Sequence, residues 1–140
     1  MSNLTSAIRA DLLAVPAIAA AVGTRIRPRK LRQGDVLPAI RMTVVSGREE
    51  EHLGGAATLA HATIQIDAYA ATSEAADQLA DLIRRRLCPT LGRRGSLGGL
   101  WVHGLSVQAG LHQTEEPLDD GGDRYRYVST RDYRVSYTFT

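Results

Sequence analysis

Apolar residues recur along this chain at two periods, and the switches between them outline the elements. Near the start, Leu4, Ile8, Leu12 and Val15 follow helical spacing, with Asn3 or Thr5 placed to cap the first turn. Pro16 cannot sit inside that helix without losing a backbone hydrogen bond, so it is expected to open a second, Ala17–Val22, which Gly23 ends. A short strand at Arg25–Arg27 should stop at Pro28, and residues 29–38 read as a surface loop.

The period then changes to two. Ala39–Ser46 is β-branched, with Ile40, Met42 and Val44 on one side, and its partner should be Leu59–Ala70, where Ile64, Ile66 and Ala68 share a face. The stretch between them, Gly47–Thr58, reads as a long loop, acidic at Glu49–Glu51. Ser73–Leu87 returns to helical spacing: Ala76, Leu79, Ala80, Ile83 and Leu87 form its stripe, and Thr72 or Ser73 can cap it. Glu74 and Asp77 near its start and Arg84–Arg86 at its end match the helix dipole. Pro89 and the glycine-rich run Gly92–Gly99 end it, the latter expected to be a flexible connection. Strands at Leu100–Ala109 and Arg124–Thr138 follow, joined by a polar loop. In the last, Tyr133, Val135, Tyr137 and Phe139 alternate with polar residues, as in a half-buried antiparallel strand.

The expected order is therefore ααβββαββ: an α+β fold whose mostly antiparallel sheet of about four to five strands carries its helices on one face. At 140 residues the chain has room for one domain, spanning 1–140. No apolar run approaches the roughly 20 residues of a membrane helix. Met1–Ser6 lacks a basic and then apolar leader, and Cys88 is a lone cysteine, so a product made in a reducing cytosol is expected.

Charge changes the picture more than composition does. Of the 17 basic residues 16 are arginine, alongside abundant alanine, which marks a compositional habit more than a nucleic-acid signal. Residues 1–47 carry seven basic and two acidic groups, net +5; residues 48–78 carry one and six, net −5; residues 79–140 carry nine and seven, net +2. Oppositely charged regions on one small chain can attract each other between copies.

Candidate chemistry is sparse. His52, His61, His103 and His112 share no spacing; no zinc-binding cysteine–histidine pattern, phosphate loop or Gly-x-Ser-x-Gly elbow is present. His61 and His103 both lie on expected strands, so a shared site is geometrically open. Cys88 follows an apolar helix face and reads as a small buried hydrophobe. Asp119–Asp123 fits a turn better than a calcium loop, and Glu115 and Glu116 read as solvated surface. Arg84–Arg86, Arg93 and Arg94 form the one basic cluster, without the interleaved aromatics of a single-strand binder. No enzyme, cofactor or metal site is expected; a small nucleic-acid-binding protein is the alternative from another class.

Several segments together resemble the small phage tail-completion proteins, also called tail terminators or head-to-tail joining proteins, of long-tailed phages and gene-transfer particles. They are Leu12–Ile18 leading to Val22–Ile26, then Leu37–Ile40, His52–Gly55, the strand Ile64–Ala70, Ala75–Ala80 and Tyr133–Tyr137. The likeness covers nearly the whole chain in order, whereas Arg93–Gly99 matches nothing in it. It implies a compact α+β domain that assembles into a ring, usually a hexamer, capping the tail tube. That is a structural virion protein which stops tube polymerisation and presents a surface to the head connector. The implied partners are its own copies, the tail tube protein and a neck protein. The implied place is the tail–neck junction, after assembly in the bacterial host cytoplasm. A head-completion or neck connector protein is the near alternative. The implied family has no catalytic motif to carry over.

A ring uses head-to-tail contacts between two different patches, which the +5 and −5 regions would suit. The expected interface set is Arg48, Glu49, Glu50, Glu51, His52 and Leu53 on an acidic arm, together with Arg27, Arg29, Lys30 and Arg32, and Glu49–Glu51 are expected to face a neighbour's arginines.

Overall fold

Proline at the start and glycine at the end delimit the second helix as expected. In the computed structural model, α1 (Ser2–Leu13) and α2 (Pro16–Val22) meet at a bend of 100°, and the Gly23 N–H closes α2 on the Ala19 carbonyl at 2.8 Å. Residues 2–32, 35–51, 58–89, 93–108, 111–117 and 125–139 are described; for Ser2, Asn3, residues 48–51, Thr58 and Phe139 this covers the backbone alone. α3 (Ser73–Leu87) follows its sequence signature residue for residue. The Thr72 hydroxyl caps it by accepting from the Ala75 N–H at 3.2 Å, and all five stripe residues are buried.

Among the described residues, seven strands form one sheet: β1 (Ile26–Pro28), β2 (Ala39–Glu51), β3 (Thr58–Ala70), β4 (Gly95–Leu97), β5 (Leu100–Val107), β6 (His112–Pro117) and β7 (Tyr125–Phe139). Their order is β1-β2-β3-β7-β5-β4, with β6 pairing β7 beyond the end of β5. Among the described residues, β1–β2 is the parallel pair and the other pairs are antiparallel. The observed order is ααβββαββββ, so the expected strand count was too low by two.

Three differences have physical causes. β2 runs through Gly47 to Glu51, paired with β3, where a loop was expected; the hairpin overrides the weak strand preference of Gly47 and Glu49–Glu51. β4 forms within the glycine-rich run because Gly98, at φ 59°, makes a tight turn back into β5. β6 replaces part of the expected polar loop. It has no apolar period, and Gln113 holds it to α3 by donating to the Ser73 carbonyl and to Asp77 at 3.0 and 2.9 Å.

Alternate strand positions divide the sheet into an apolar and a polar face. Ala60, Ala62, Ile64, Ile66 and Ala68 of β3 and Tyr133, Val135 and Tyr137 of β7 share one buried cluster with the helices. Leu4, Ile8 and Leu12 of α1, Ile18 and Val22 of α2, and Leu79, Ile83 and Leu87 of α3 complete it. The three helices thus lie against this one face. Burying it is the main favourable term in folding.

Candidate interaction surfaces

The outer face of the sheet is polar. His61, Thr63, Gln65, Asp67 and Tyr69 of β3 pair with Ser136, Arg134, Asp132, Thr130 and Val128 of β7. Asp67 is fully buried there. It accepts from Arg41 Nε at 2.7 Å, from Thr130 Oγ1 at 2.5 Å and from Gln65 Nε2 at 3.2 Å. Arg41 and Arg126 also stack on Tyr69, their guanidinium carbons 5.4 and 4.8 Å from the ring centroid, and Arg126 pairs with Glu116 at 3.0 Å. Asp67 is matched by Arg41 and Glu116 by Arg126, which suits a structural role.

At the other end of the same face lies a cleft of about 400 Å³ lined by Arg93, Arg94, His103, Gly104, Leu105, Ser106, Arg134 and Ser136. Arg93 is fixed: it donates to both Asp11 oxygens, as Arg86 also does. Burial alone would raise the Asp11 carboxyl, but the two arginines outweigh it and hold it below its usual range. Arg94 and Arg134 are exposed and form no ion pair among the described residues. Trp101, on the same face opposite Thr138, is 43% exposed.

The expected interface residues fall into two separate places. Arg27 lies in β1 and is taken internally, its Nε and Nη2 donating to Asp35 at 3.2 and 3.1 Å. Those hydrogen bonds hold the Asp35 carboxyl below its ordinary value. Arg29, at φ 69°, Lys30 and Arg32 are exposed beyond β1, and the Arg29 N–H bonds to the Met42 carbonyl. Arg48–Glu51 form the far end of β2, with Arg48 opposite His61 and Glu51 opposite Thr58. Seven positions of strand separate Met42 from Glu49, roughly 23 Å, so the basic loop and the acidic strand end do not meet within one subunit. His52 and Leu53 lie outside the described residues. Among the described residues, no strand pairs with the outer edge of β2 beyond Met42.

His61 and His103 do flank β7 on one face, but each bonds to a separate hydroxyl there, Ser136 at 2.8 Å and Thr138 at 3.2 Å. Among the described residues no three His, Cys, Asp or Glu side chains are grouped to hold a metal. Cys88 is buried, its thiol donating to the Leu105 carbonyl and pushed up in pKa by that burial. Sequence reasoning missed the cleft because its arginines come from two distant segments, each ordinary alone.

The family described as Tail completion protein gp17 matches residues 6–104, and the chain belongs to that family. It is therefore a structural protein of a phage-type tail. Among solved structures it is similar to a chain of one described as "Virion of native gene transfer agent (GTA) particle". The TM-score is 0.62 at 18% identity, over 96% of this chain and 94% of that one, a likeness in fold. No curated protein matches the chain.

Proposed function

We propose that this protein ends tail-tube growth by closing into a ring on the tube, a hexamer by the family likeness, and joins the tail to the head connector. The observation that carries this reading is the separation of charge on one subunit. Basic residues at Arg29–Arg32 and in the cleft at Arg94 and Arg134 stand apart from the acidic sequence that ends β2. Two unlike patches of this kind suit the head-to-tail contacts that build rings. Beyond Met42 the outer edge of β2 has no strand partner among the described residues and adds backbone groups that a neighbour or the tube can meet. Membership in the tail completion family supports the placement at the tail end, facing the neck.

Molar mass by light scattering, with and without purified tail tube, tests the reading. A ring-sized species, alone or formed on adding tube, together with shorter tubes in electron micrographs, supports it. A strict monomer that leaves tube growth unchanged overturns it.

A further inference from the structure

We infer that the cleft between β5, β7 and the Arg93–Arg94 segment is the receptor for the acidic end of β2, Glu49–Glu51, of a second copy of this chain. The inference rests on the ring reading above and names the contact that would build the ring. It assigns a role to the segment around Arg93 that the family likeness left without one.

The cleft has the chemistry of a carboxylate receptor. Arg94 and Arg134 are exposed cations without an acidic partner among the described residues, and Ser106, Ser136 and His103 add hydrogen-bonding groups around them. Arginine forks bind carboxylates and phosphates in pairs of parallel hydrogen bonds, so the cleft can hold the glutamates of a neighbour. Arg93 stays on Asp11 and keeps one wall in place, so it is a fixed neighbour of the binding cations. Trp101 on the same face supplies a partly exposed aromatic of the kind that anchors protein interfaces.

The occupant comes from another copy because the same subunit cannot supply it. Ser46, Thr63, Arg134 and Ser106 stand in one row across β2, β3, β7 and β5. Glu50 lies four residues further along β2, about 13 Å by strand rise, and β2 is two strands from β7. An intramolecular ion pair does not span that. Glu49–Glu51 instead lie, by sequence, at the end of β2, whose edge beyond Met42 pairs with no strand among the described residues. Arg29, Lys30 and Arg32 make a weaker receptor: they are exposed on a loop, where single ion pairs contribute little.

Charge exchange on the full chain tests this. One variant carries Arg94→Glu and Arg134→Glu; the other carries Glu49→Lys, Glu50→Lys and Glu51→Lys. Both are checked for folding by circular dichroism, and mass is read by light scattering at low and high salt, with and without tail tube. Each variant alone is expected to self-associate at least roughly tenfold more weakly than the parent. Mixed in equal amounts they should regain the parent's mass, since each receptor then meets a strand end of opposite charge. If either folded variant assembles like the parent, or the mixture fails to recover, this contact is wrong while the ring reading stands. A parent monomeric even on tail tube overturns both. If the arginine variant assembles normally but loses binding to a short DNA duplex, the occupant is nucleic acid and the inference falls.

Discussion

Asp11 on α1 accepts a hydrogen bond from Arg93, 82 residues further along the chain, with Arg93 Nη2 2.9 Å from Asp11 Oδ1. Arg86, at the end of α3, donates to the same carboxylate at 2.9 and 3.1 Å. One side chain therefore ties α1, α3 and the approach to β4 together. The run Arg84–Arg86 reads locally as dipole compensation, yet Arg86 also serves this joint.

Asp11→Ala should destabilise the fold by about 1–2 kcal/mol. It removes two charge-assisted pairs, of which the one to the partly exposed Arg86 contributes less. Urea unfolding measures the change. A double-mutant cycle with Arg93→Ala should return a coupling of at least about 0.5 kcal/mol, as expected for residues in contact.

Acid should weaken the same joint in a defined direction. The folded-state pKa values of Asp11 and Asp35 lie below their ordinary value of 3.8. Their contribution is complete above 3.8 and is lost as pH falls from there through the lower folded values. Urea midpoints followed from pH 6 downward, on the order of one unit per step, should drop less steeply in Asp11→Asn than in the parent.

Gly98 should not tolerate a side chain. It sits at φ 59° in the β4–β5 turn, and an added Cβ would stand 3.2 Å from the Ala7 Cβ of α1. Gly98→Ala is expected to cost about 1–2 kcal/mol from the left-handed backbone alone. Gly99→Ala, with nothing within 4 Å of its added Cβ, is the control and should unfold close to the parent.

The buried carboxylate on the outer face gives a larger effect. Asp67→Ala leaves Arg41, Thr130 and Gln65 without their shared acceptor. The loss should be about 3 kcal/mol, moderated because Arg41 keeps some contact with water. Thermal unfolding shows it as a fall in Tm of several degrees, on the order of 10 °C for a domain of this size.

What could be read from the chain was local. α3 carries its cap, stripe and terminal charges within 16 residues from Thr72 to Leu87, so each feature was visible without knowing the fold. β6 was not visible, because His112–Pro117 has no apolar alternation and its place is set by Gln113 reaching Ser73 and Asp77. The far end of β2 was hidden for a related reason: Gly47 and three glutamates favour a loop until β3 pairs with them. Arg27 read as a surface cation, whereas Asp35, eight residues later, closes on it. The outer-face cleft was least accessible, since strand register alone brings Arg134 beside His103 and Ser106.

Tyr133 gives the chain an alkaline signature. It lies buried under α3, and that burial pushes its hydroxyl up to about 12, from an ordinary 10.0. The charged phenolate is the disfavoured form inside, so below pH 10 the group leaves stability unchanged. As pH rises from 10 to about 12, the unfolded chain ionises first and draws the equilibrium towards itself. The loss should approach about 2–3 kcal/mol at the top of that range. Tyr69 is raised as well, again mainly by burial, so at least two late-ionising groups are expected in a titration of tyrosinate absorbance. Tyr133→Phe should remove one of them and flatten the alkaline fall in stability. A parent whose five tyrosines all ionise together near pH 10 would contradict the packing of Tyr133 against the helices.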